Sequence, residues 1–150
     1  MICHSDMKKV KIKIRMGGDN LTLPEYKTKE SAGCDLVNNG GARQILPGGR
    51  AFFNTGVHIE LPDGYEAQVR SRSGLNKNHG IVCPTGTIDA DYRGEIGVIL
   101  YNLSREPYII QPGDRIAQLV ISPVIQADWQ QVDHLDETDR GDGGFGSTGK

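Results

Sequence analysis

The residues with the clearest potential for chemistry lie in one stretch, Thr85–Gly97, whose sequence is TGTIDADYRGEIG. Asp89 and Tyr92 lie in this stretch, and both side chains could project into the same space. Three glycines lack a Cβ atom, so another group can approach the main chain beside them; they are Gly86, Gly94 and Gly97. The pattern predicts a small-molecule site made of main-chain groups, a carboxylate and a ring. The alternative is an ordinary loop with a solvated Asp89, because Asp and Gly are common turn residues.

A second candidate stretch is the glycine-rich end of the chain, Asp133–Lys150. Gly144–Lys150 resembles the first part of a P-loop, but a P-loop requires a preceding strand, and this stretch has the composition of a tail. Its amides, hydroxyls and arginine still suit a polyphosphate; the side chains are those of Arg140, Ser147 and Thr148. Phe145 would stack on a planar ligand if the tail folded over it. A disordered, solubilising terminus is the alternative.

Alternating apolar and polar residues predict the elements that position these stretches. Lys9–Arg15 has Val10, Ile12 and Ile14 on one face, which predicts a half-buried strand. Its basic outer face could bind an anion or be a solvated edge. Ala51–Leu61 predicts one long strand with five inward residues, which are Phe53, Thr55, Val57, Ile59 and Leu61.

Further short strands are predicted between turn signals. Ile81–Cys83 and Ile96–Tyr101 flank the central stretch and are expected to run antiparallel. The other strands are Ser31–Val37, Tyr65–Val69, Tyr108–Ile110, Arg115–Val124 and Trp129–Val132. Ser73–Asn78 could form one or two helical turns capped by Ser71 or Ser73. Short strands with turns between them predict an all-β sandwich, barrel or jelly roll.

Composition narrows the class of protein. The chain has 150 residues and a formal charge of −2, so it is expected to be one domain with no basic field for direct nucleic-acid binding. Its 3 cysteines lack the close pairs of a zinc site and favour a reducing, cytoplasmic compartment. No apolar run is long enough to span a membrane, and no signal-peptide pattern is present.

Five segments stand out along the chain. They are AGCDL at Ala32–Leu36, RSGL at Arg72–Leu75, GTIDADYRG at Gly86–Gly94, GDRIAQL at Gly113–Leu119 and RGDGGFGSTG at Arg140–Gly149. In this order and spacing they closely resemble the five motifs of the trimeric dUTPases (dUTP diphosphatases). The resemblance runs from about Lys9 to Lys150.

The resemblance implies a jelly-roll-like distorted barrel of short strands with one short helical turn. It implies a core over residues 1–134 and a flexible glycine-rich arm, residues 135–150, which closes over an active site built by other chains. It also implies a homotrimer that hydrolyses dUTP to dUMP and pyrophosphate, with Mg²⁺ carried on the triphosphate. Such an enzyme limits uracil incorporation into DNA and supplies dUMP for thymidylate synthesis.

The resemblance assigns the hydrolysis to Asp89 and Gln118. Asp89 is implied to be the general base that activates the water attacking the α-phosphorus, and the Gln118 amide is implied to orient that water. Arg72, Ser73 and Gly74 are implied to grip phosphate at the start of the helical turn, where free N–H groups favour anions.

Selectivity is assigned to the central stretch. Main-chain groups of Gly86, Thr87, Ile88 and Gly97 would read uracil, because fixed donors and acceptors would leave cytosine unpaired. Tyr92 under the sugar would exclude a ribose 2′-hydroxyl; a core tyrosine at a strand end is the alternative.

The remaining roles concern the phosphates and the metal. Phe145 would stack on uracil, while Arg140, Ser147 and Thr148 would hold the outer phosphates. Asp35 is implied to act on Mg²⁺ through water, or to organise the trimer centre; a buried structural Asp is the alternative.

Two rival functions remain at this point. A dCTP deaminase has a related fold but usually lacks the glycine-rich arm. A binding module on the same fold would recognise a nucleotide without turnover, against which the presence of Asp89 and Gln118 argues.

Overall fold

The computed structural model describes residues 9–19, 21 and 23–144. Short strands dominate this part of the chain, and the one helix has seven residues. In chain order the elements are β1 (Lys13–Met16), β2 (Gly33–Val37), β3 (Arg43–Ile45), β4 (Arg50–Asn54), β5 (Val57–Glu60), β6 (Tyr65–Arg70), α1 (Ser73–His79), β7 (Ile81–Val82), β8 (Gly86–Ile88), β9 (Gly97–Asn102), β10 (Tyr108–Ile110) and β11 (Arg115–Pro123). Within these residues, no helix combines the length and apolar character needed to cross a membrane.

The strands form antiparallel sheets that share one hydrophobic core. The largest sheet has the order β2-β11-β6-β8, and a three-stranded sheet has the order β4-β9-β7. β1 pairs with β5, and β10 pairs with β3. The all-β prediction is therefore confirmed. The described strands form no closed barrel, because each sheet has two ends.

The predicted long strand Ala51–Leu61 is wrong as a single element, because the chain breaks between β4 and β5. Gly56 adopts a positive φ of 68°, which favours glycine. A Cβ atom there would also lie 2.5 Å from Cδ1 of Leu21. The alternation nevertheless continues through the break, since every predicted inward residue is buried.

Two other strand predictions need correction. Lys9–Arg15 becomes a strand only at Lys13, and Ile14 is 39% exposed rather than inward. Trp129–Val132 contains no strand, and Trp129 is 90% exposed. Among the described strands β1 pairs with β5 alone, and residues 129–132 are all exposed, so neither segment buries a face as its sequence predicted.

The helix prediction is confirmed, while its predicted cap is wrong. The N-cap residue is Arg72, and no side chain caps the helix. The Ser71 hydroxyl instead donates to the carbonyl of Cys83 and accepts from the amide of Cys83, at 3.1 and 2.7 Å. Ser71 therefore fastens the start of the helical segment to the chain that follows it.

The central stretch connects two sheets. β7 pairs with β9 in antiparallel register, Ile81 opposite Asn102, as expected for the flanking strands. Between them, β8 leaves this sheet and pairs with β6, with Gly86 opposite Val69. The chain from 83 to 96 thus crosses from one sheet to the other and back.

Candidate active site

Strand register brings several predicted site residues onto one face of the four-stranded sheet. Asp35 on β2 lies opposite Gln118 on β11, which lies opposite Arg70 on β6. Thr87 on β8 lies opposite Gln68, two residues from Arg70. Partners in an antiparallel ladder share a face, so these side chains form one polar face. The opposite face contributes to the core.

Asp35 lies between two arginines. Its Oδ1 accepts from Nε of Arg72 at 3.0 Å, and its Oδ2 accepts from a terminal nitrogen of Arg115 at 3.2 Å. The Asp35 side chain is only 16% exposed, and Arg72 also donates to the carbonyl of Arg115. Charge-assisted bonds of this kind are stronger than neutral ones. The geometry supports a structural role for Asp35 in holding Arg72 at the start of α1.

Gln118 is fixed beside this cluster. Its Nε2 donates to the carbonyl of Ser71 at 2.9 Å. Its Oε1 lies so close to Gly33 that a Cβ atom built on Gly33 would be 2.6 Å away. Contacts on both sides therefore define the orientation of the carboxamide.

The first turn of α1 is accessible. Ser73 and Gly74 are exposed, and a Cβ atom on Gly74 would meet no atom of the described residues within 4 Å. The first main-chain N–H groups of a helix have no partner within the helix. Arg72, Ser73 and Gly74 therefore lie together as predicted, with room for an anion beside them.

Main-chain groups in the central stretch are open to a ligand. Among the described strands, β8 lies at the edge of its sheet, so Gly86–Ile88 presents one side that is not paired with β6. β9 pairs with β7 only at Tyr101 and Asn102, which leaves Gly97 outside that pairing. Within the described part of the chain, a Cβ atom on Gly86 would have only an ordinary contact, with Val69 at 3.7 Å.

The other two glycines accommodate aromatic side chains of the protein. A Cβ atom on Gly94 would lie 2.2 Å from the Tyr92 hydroxyl, and one on Gly97 would lie 2.1 Å from the Phe52 ring. The Tyr92 hydroxyl donates to the carbonyl of Glu95 at 3.0 Å. Tyr92 is 43% exposed, so its interpretation as a core tyrosine is wrong.

Asp89 is exposed at an open cleft of about 770 Å³. Thr87 lines the same cleft. Charged residues around it are mainly acidic: they are Asp63, Glu66, Asp89, Asp91 and Arg93. This balance repels a triphosphate, and the cleft does not include Arg72 or Gln118. One chain by itself therefore does not gather the proposed base and the proposed phosphate grip into one cleft.

The described cysteines are poor candidates for nucleophiles. Cys34 and Cys83 are free and buried. Burial raises the pKa of Cys34, and it raises the pKa of Cys83 to about 11. Both thiols therefore stay protonated near neutral pH and behave as apolar core groups.

Only part of the predicted arm can be described. Arg140 is exposed, and its Nε donates to the carbonyl of Gly143 at 2.7 Å. Phe145, Ser147 and Thr148 lie outside the described residues. No helix or strand is found from residue 124 to residue 144. The division between core and arm at residue 134 stays a prediction.

The described residues contain no group of three or more His, Cys, Asp or Glu side chains that could hold a metal ion.

The sequence analysis assigned no role to Arg115 or Glu95. Arg115 lies inside the fourth motif, and Glu95 directly follows the third. A charged side chain in or beside a motif was the available signal for both residues. The residues that they bond to are far away in sequence, so the sequence alone did not reveal the contacts.

The fold and this polar face define an all-β protein with a candidate small-molecule site at main-chain edges and an arginine–carboxylate cluster. The sequence model of the dUTPase family matches residues 19–149. The chain therefore belongs to the dUTPase family. The expectation of a dUTP diphosphatase is confirmed at this level.

Relatives agree with this assignment over most of the chain. A deoxyuridine 5′-triphosphate nucleotidohydrolase from Anaplasma marginale is 53% identical, covering 95% of this chain and 99% of the relative. A deoxyuridine 5′-triphosphate nucleotidohydrolase from Ehrlichia canis is 57% identical, covering 91% of this chain and 92% of the relative.

Solved structures agree on the fold. The dUTPase of Staphylococcus bacteriophage 80alpha with dUpNHpp has a TM-score of 0.84 and 30% identity, covering 95% of this chain and all of that one. A mutant dUTPase from phage phi11 of S. aureus, described as revealing coordination of a structural Mg(II) ion, has a TM-score of 0.78 and 27% identity, covering 85% of this chain and all of that one.

Proposed function

We propose that the chain hydrolyses dUTP to dUMP and pyrophosphate through water activated by Asp89. Membership of the dUTPase family supports the reaction itself. The observation that carries the mechanism is the register of the four-stranded sheet, in which Asp35, Gln118 and Arg70 form a row and β8 is the edge strand. Motifs that are far apart in sequence thereby share one face.

Asp89 is the proposed general base. A carboxylate is a weak base, but it suffices when the water is held in line with the α-phosphorus. The carboxamide of Gln118 is proposed to orient this water. Its fixed contacts with Ser71 and Gly33 support that role, because a preoriented amide loses little freedom in the reaction.

Phosphate is proposed to bind at Arg72, Ser73 and Gly74. The exposed first turn of α1 supplies N–H groups, and Arg72 supplies a cation whose position is held by Asp35. Arg140, Ser147 and Thr148 are proposed to hold the outer phosphates, and Phe145 is proposed to stack on uracil.

Mg²⁺ is proposed to arrive on the triphosphate. When bound, it would reduce the phosphate charge that a water nucleophile must overcome. Both oxygens of Asp35 accept from arginines, yet each keeps a further acceptor site, so Asp35 suits contact through a metal-bound water. This donor set fits an indirect role and not that of a dedicated metal cage.

Base selectivity is proposed to come from main-chain groups of Gly86, Thr87, Ile88 and Gly97. The open edge of β8 supports this, because fixed N–H and C=O groups discriminate uracil from cytosine by leaving the wrong base unpaired. Tyr92 is proposed to lie under the deoxyribose, where a ribose 2′-hydroxyl would not fit.

The complete site is proposed to form in a homotrimer, closed by the arm, residues 135–150, of another subunit. Two observations support this. The acidic cleft at Asp89 is separate from Arg72 and Gln118 in one chain. Apolar side chains after β11 are highly exposed: they are Ile125 at 97%, Trp129 at 90% and Leu135 at 87%. Exposed apolar side chains in such number mark a protein–protein contact.

The proposed cellular role is to keep uracil out of DNA and to supply dUMP for thymidylate synthesis in the cytoplasm. The free thiols of Cys34 and Cys83 are compatible with a reducing compartment.

Pyrophosphate release from dUTP, measured beside dCTP, dTTP and UTP with Mg²⁺, tests this proposal. We expect release from dUTP to exceed release from each other nucleotide by at least about 100-fold. Deamination of dCTP would support the rival deaminase, and binding without release would support a binding module.

A further inference from the structure

Glu95 ties the central stretch to the turn between β4 and β5. Its Oε1 accepts from the main-chain N–H of Gly56 at 2.8 Å, and its Oε2 accepts from Nδ2 of Asn54 at 3.1 Å. Each carboxylate oxygen therefore accepts a hydrogen bond, and both donors lie at the turn between β4 and β5.

The turn that receives Glu95 is well defined. Gly56 has a positive φ of 68°, and a Cβ atom there would collide with Leu21. The Thr55 hydroxyl is buried and donates to the carbonyl of Ile96, while the N–H of Ile96 donates to the carbonyl of Val57 at 2.8 Å. The N–H and the C=O of Ile96, the residue after Glu95, therefore both form hydrogen bonds.

The main chain of Glu95 also fixes Tyr92. The Tyr92 hydroxyl donates to the carbonyl of Glu95 at 3.0 Å, and the ring lies against Gly94, where a side chain would not fit. His58 makes a further contact from Nδ1 to the carbonyl of Arg93 at 3.1 Å. The position of the Tyr92 ring therefore depends on where the Glu95 main chain is held.

We propose that Glu95 is a positioning residue that sets the discrimination between deoxyribose and ribose, by holding the main-chain carbonyl on which Tyr92 rests. Glu95 touches neither substrate nor metal in this account. The inference rests on the proposed function of Tyr92 as the group beneath the sugar. Glu95 lies outside the five motifs, and the sequence analysis assigned it no role.

The charge of Glu95 matters to this arrangement. Burial alone would raise the pKa of Glu95, but hydrogen bonds from Gly56, Asn54 and Thr55 outweigh it and hold the pKa below its usual value. A glutamine has one acceptor oxygen where the carboxylate has two, so it would lose one of the two contacts and turn its NH₂ toward a donor.

The test compares Glu95→Gln with wild type and with Glu60→Gln. Glu60 is a suitable control because it is a β5 glutamate whose carboxylate accepts from Lys13 at 2.8 Å, whereas the donors to Glu95 include Gly56 and Asn54. The ratio of kcat/KM for dUTP to kcat/KM for UTP is measured for each. We expect this ratio to fall roughly tenfold in Glu95→Gln, as for loss of one bond to a charged group, and to be unchanged in Glu60→Gln. A merely structural defect lowers the active fraction for both substrates and leaves the ratio constant.

Asn54→Ala provides a second variant if Glu95→Gln does not fold. It removes one donor to the Glu95 carboxylate and leaves the other, so the ratio is expected to fall by a smaller factor. An unchanged ratio in a folded Glu95→Gln, or in a folded Asn54→Ala when the first is unfolded, would overturn the inference. Failure of the wild type to prefer dUTP over UTP would instead overturn the proposed function.

Discussion

At the scale of single residues, the clearest feature is that two functional candidates, Asp35 and Gln118, form hydrogen bonds with residues in or beside another motif. Asp35 from the first motif binds Arg72 from the second and Arg115 from the fourth. Gln118 from the fourth motif donates to Ser71, beside the second. These bonds link the first, second and fourth motifs into one cluster.

Gly33 tests whether the orientation of Gln118 matters. A Cβ atom at this position would lie 2.6 Å from Oε1 of Gln118, so Gly33→Ala must displace the carboxamide. We expect kcat for dUTP to fall about 10- to 100-fold, because misplacing a water-orienting group by about 1 Å has effects of this size.

The matched control for this variant is Gly41→Ala. Among residues 9–19, 21 and 23–144, a Cβ atom on Gly41 would meet nothing within 4 Å, so kcat should stay unchanged. Steady-state kinetics with dUTP measure both variants. Equal kcat values for Gly33→Ala and wild type would contradict the role proposed for Gln118.

At the scale of elements, sequence patterning predicted several strands and the helix close to their observed bounds. They are β2, β6, β10, β11 and α1, and among these strands only β6 and β11 pair on both sides. Alternation also predicted the buried face of residues 51–61, but not its break at Gly56, because a positive φ leaves no mark in hydrophobic periodicity. The excursion of β8 into a second sheet was also missed, since pairing between distant strands is not encoded in a local pattern.

The sequence identified some residues of the candidate site and missed the contacts of others. Family motifs identified Arg72, Asp89 and Gln118, but periodicity gave no reason for Asp35 to face two arginines. That arrangement follows from the register between β2 and β11. Glu95 escaped notice because its donors lie 39 and 41 residues earlier in the chain.

Gly74 offers a prediction about the helix α1. A Cβ atom there would contact none of the residues that the structure describes, and Ala is a better helix former than Gly. Gly74→Ala should therefore raise the free energy of unfolding by about 0.5–1 kcal/mol. If phosphate approaches the main chain at this turn, the added methyl group should also raise KM for dUTP by roughly tenfold.

Asn76→Ala serves as the control for Gly74→Ala. Asn76 is exposed in the same helix but beyond its first residues, so the substitution should stabilise the helix without changing KM. Urea unfolding and steady-state kinetics provide the two measurements. A stabilised Gly74→Ala enzyme with the KM of wild type would place the phosphates elsewhere.

At the scale of the whole molecule, two features of the single chain stand out. The proposed site residues lie in separate places, and several large apolar side chains are exposed. Asp89 lines an acidic cleft, whereas Gln118 lies on the polar face of the four-stranded sheet and Arg72 bonds to Asp35 on that face. The segment after β11 leaves Trp129 and Ile125 almost fully exposed. Assembly of several chains accounts for both features, because it would cover the apolar segment and combine groups from different subunits.

Trp129 tests this assembly. Trp129→Ser removes a large apolar contact surface, so sedimentation should show a trimer for wild type and a concentration-dependent shift toward smaller species for the variant. Turnover of dUTP should fall together with the trimer fraction. A wild-type chain that is monomeric and fully active would contradict assembly as a requirement for the site.

The most direct test of the account is Asp89→Asn assayed with dUTP and Mg²⁺. The variant keeps the size of the side chain but removes the proposed base, so binding of a non-hydrolysable imido analogue of dUTP should stay within about threefold of wild type. Pyrophosphate release should fall by about 10²- to 10⁴-fold, the usual contribution of a general base. The exposed Asp19→Asn should behave as wild type. If Asp89→Asn released pyrophosphate at the wild-type rate, the mechanism proposed for this chain would be wrong.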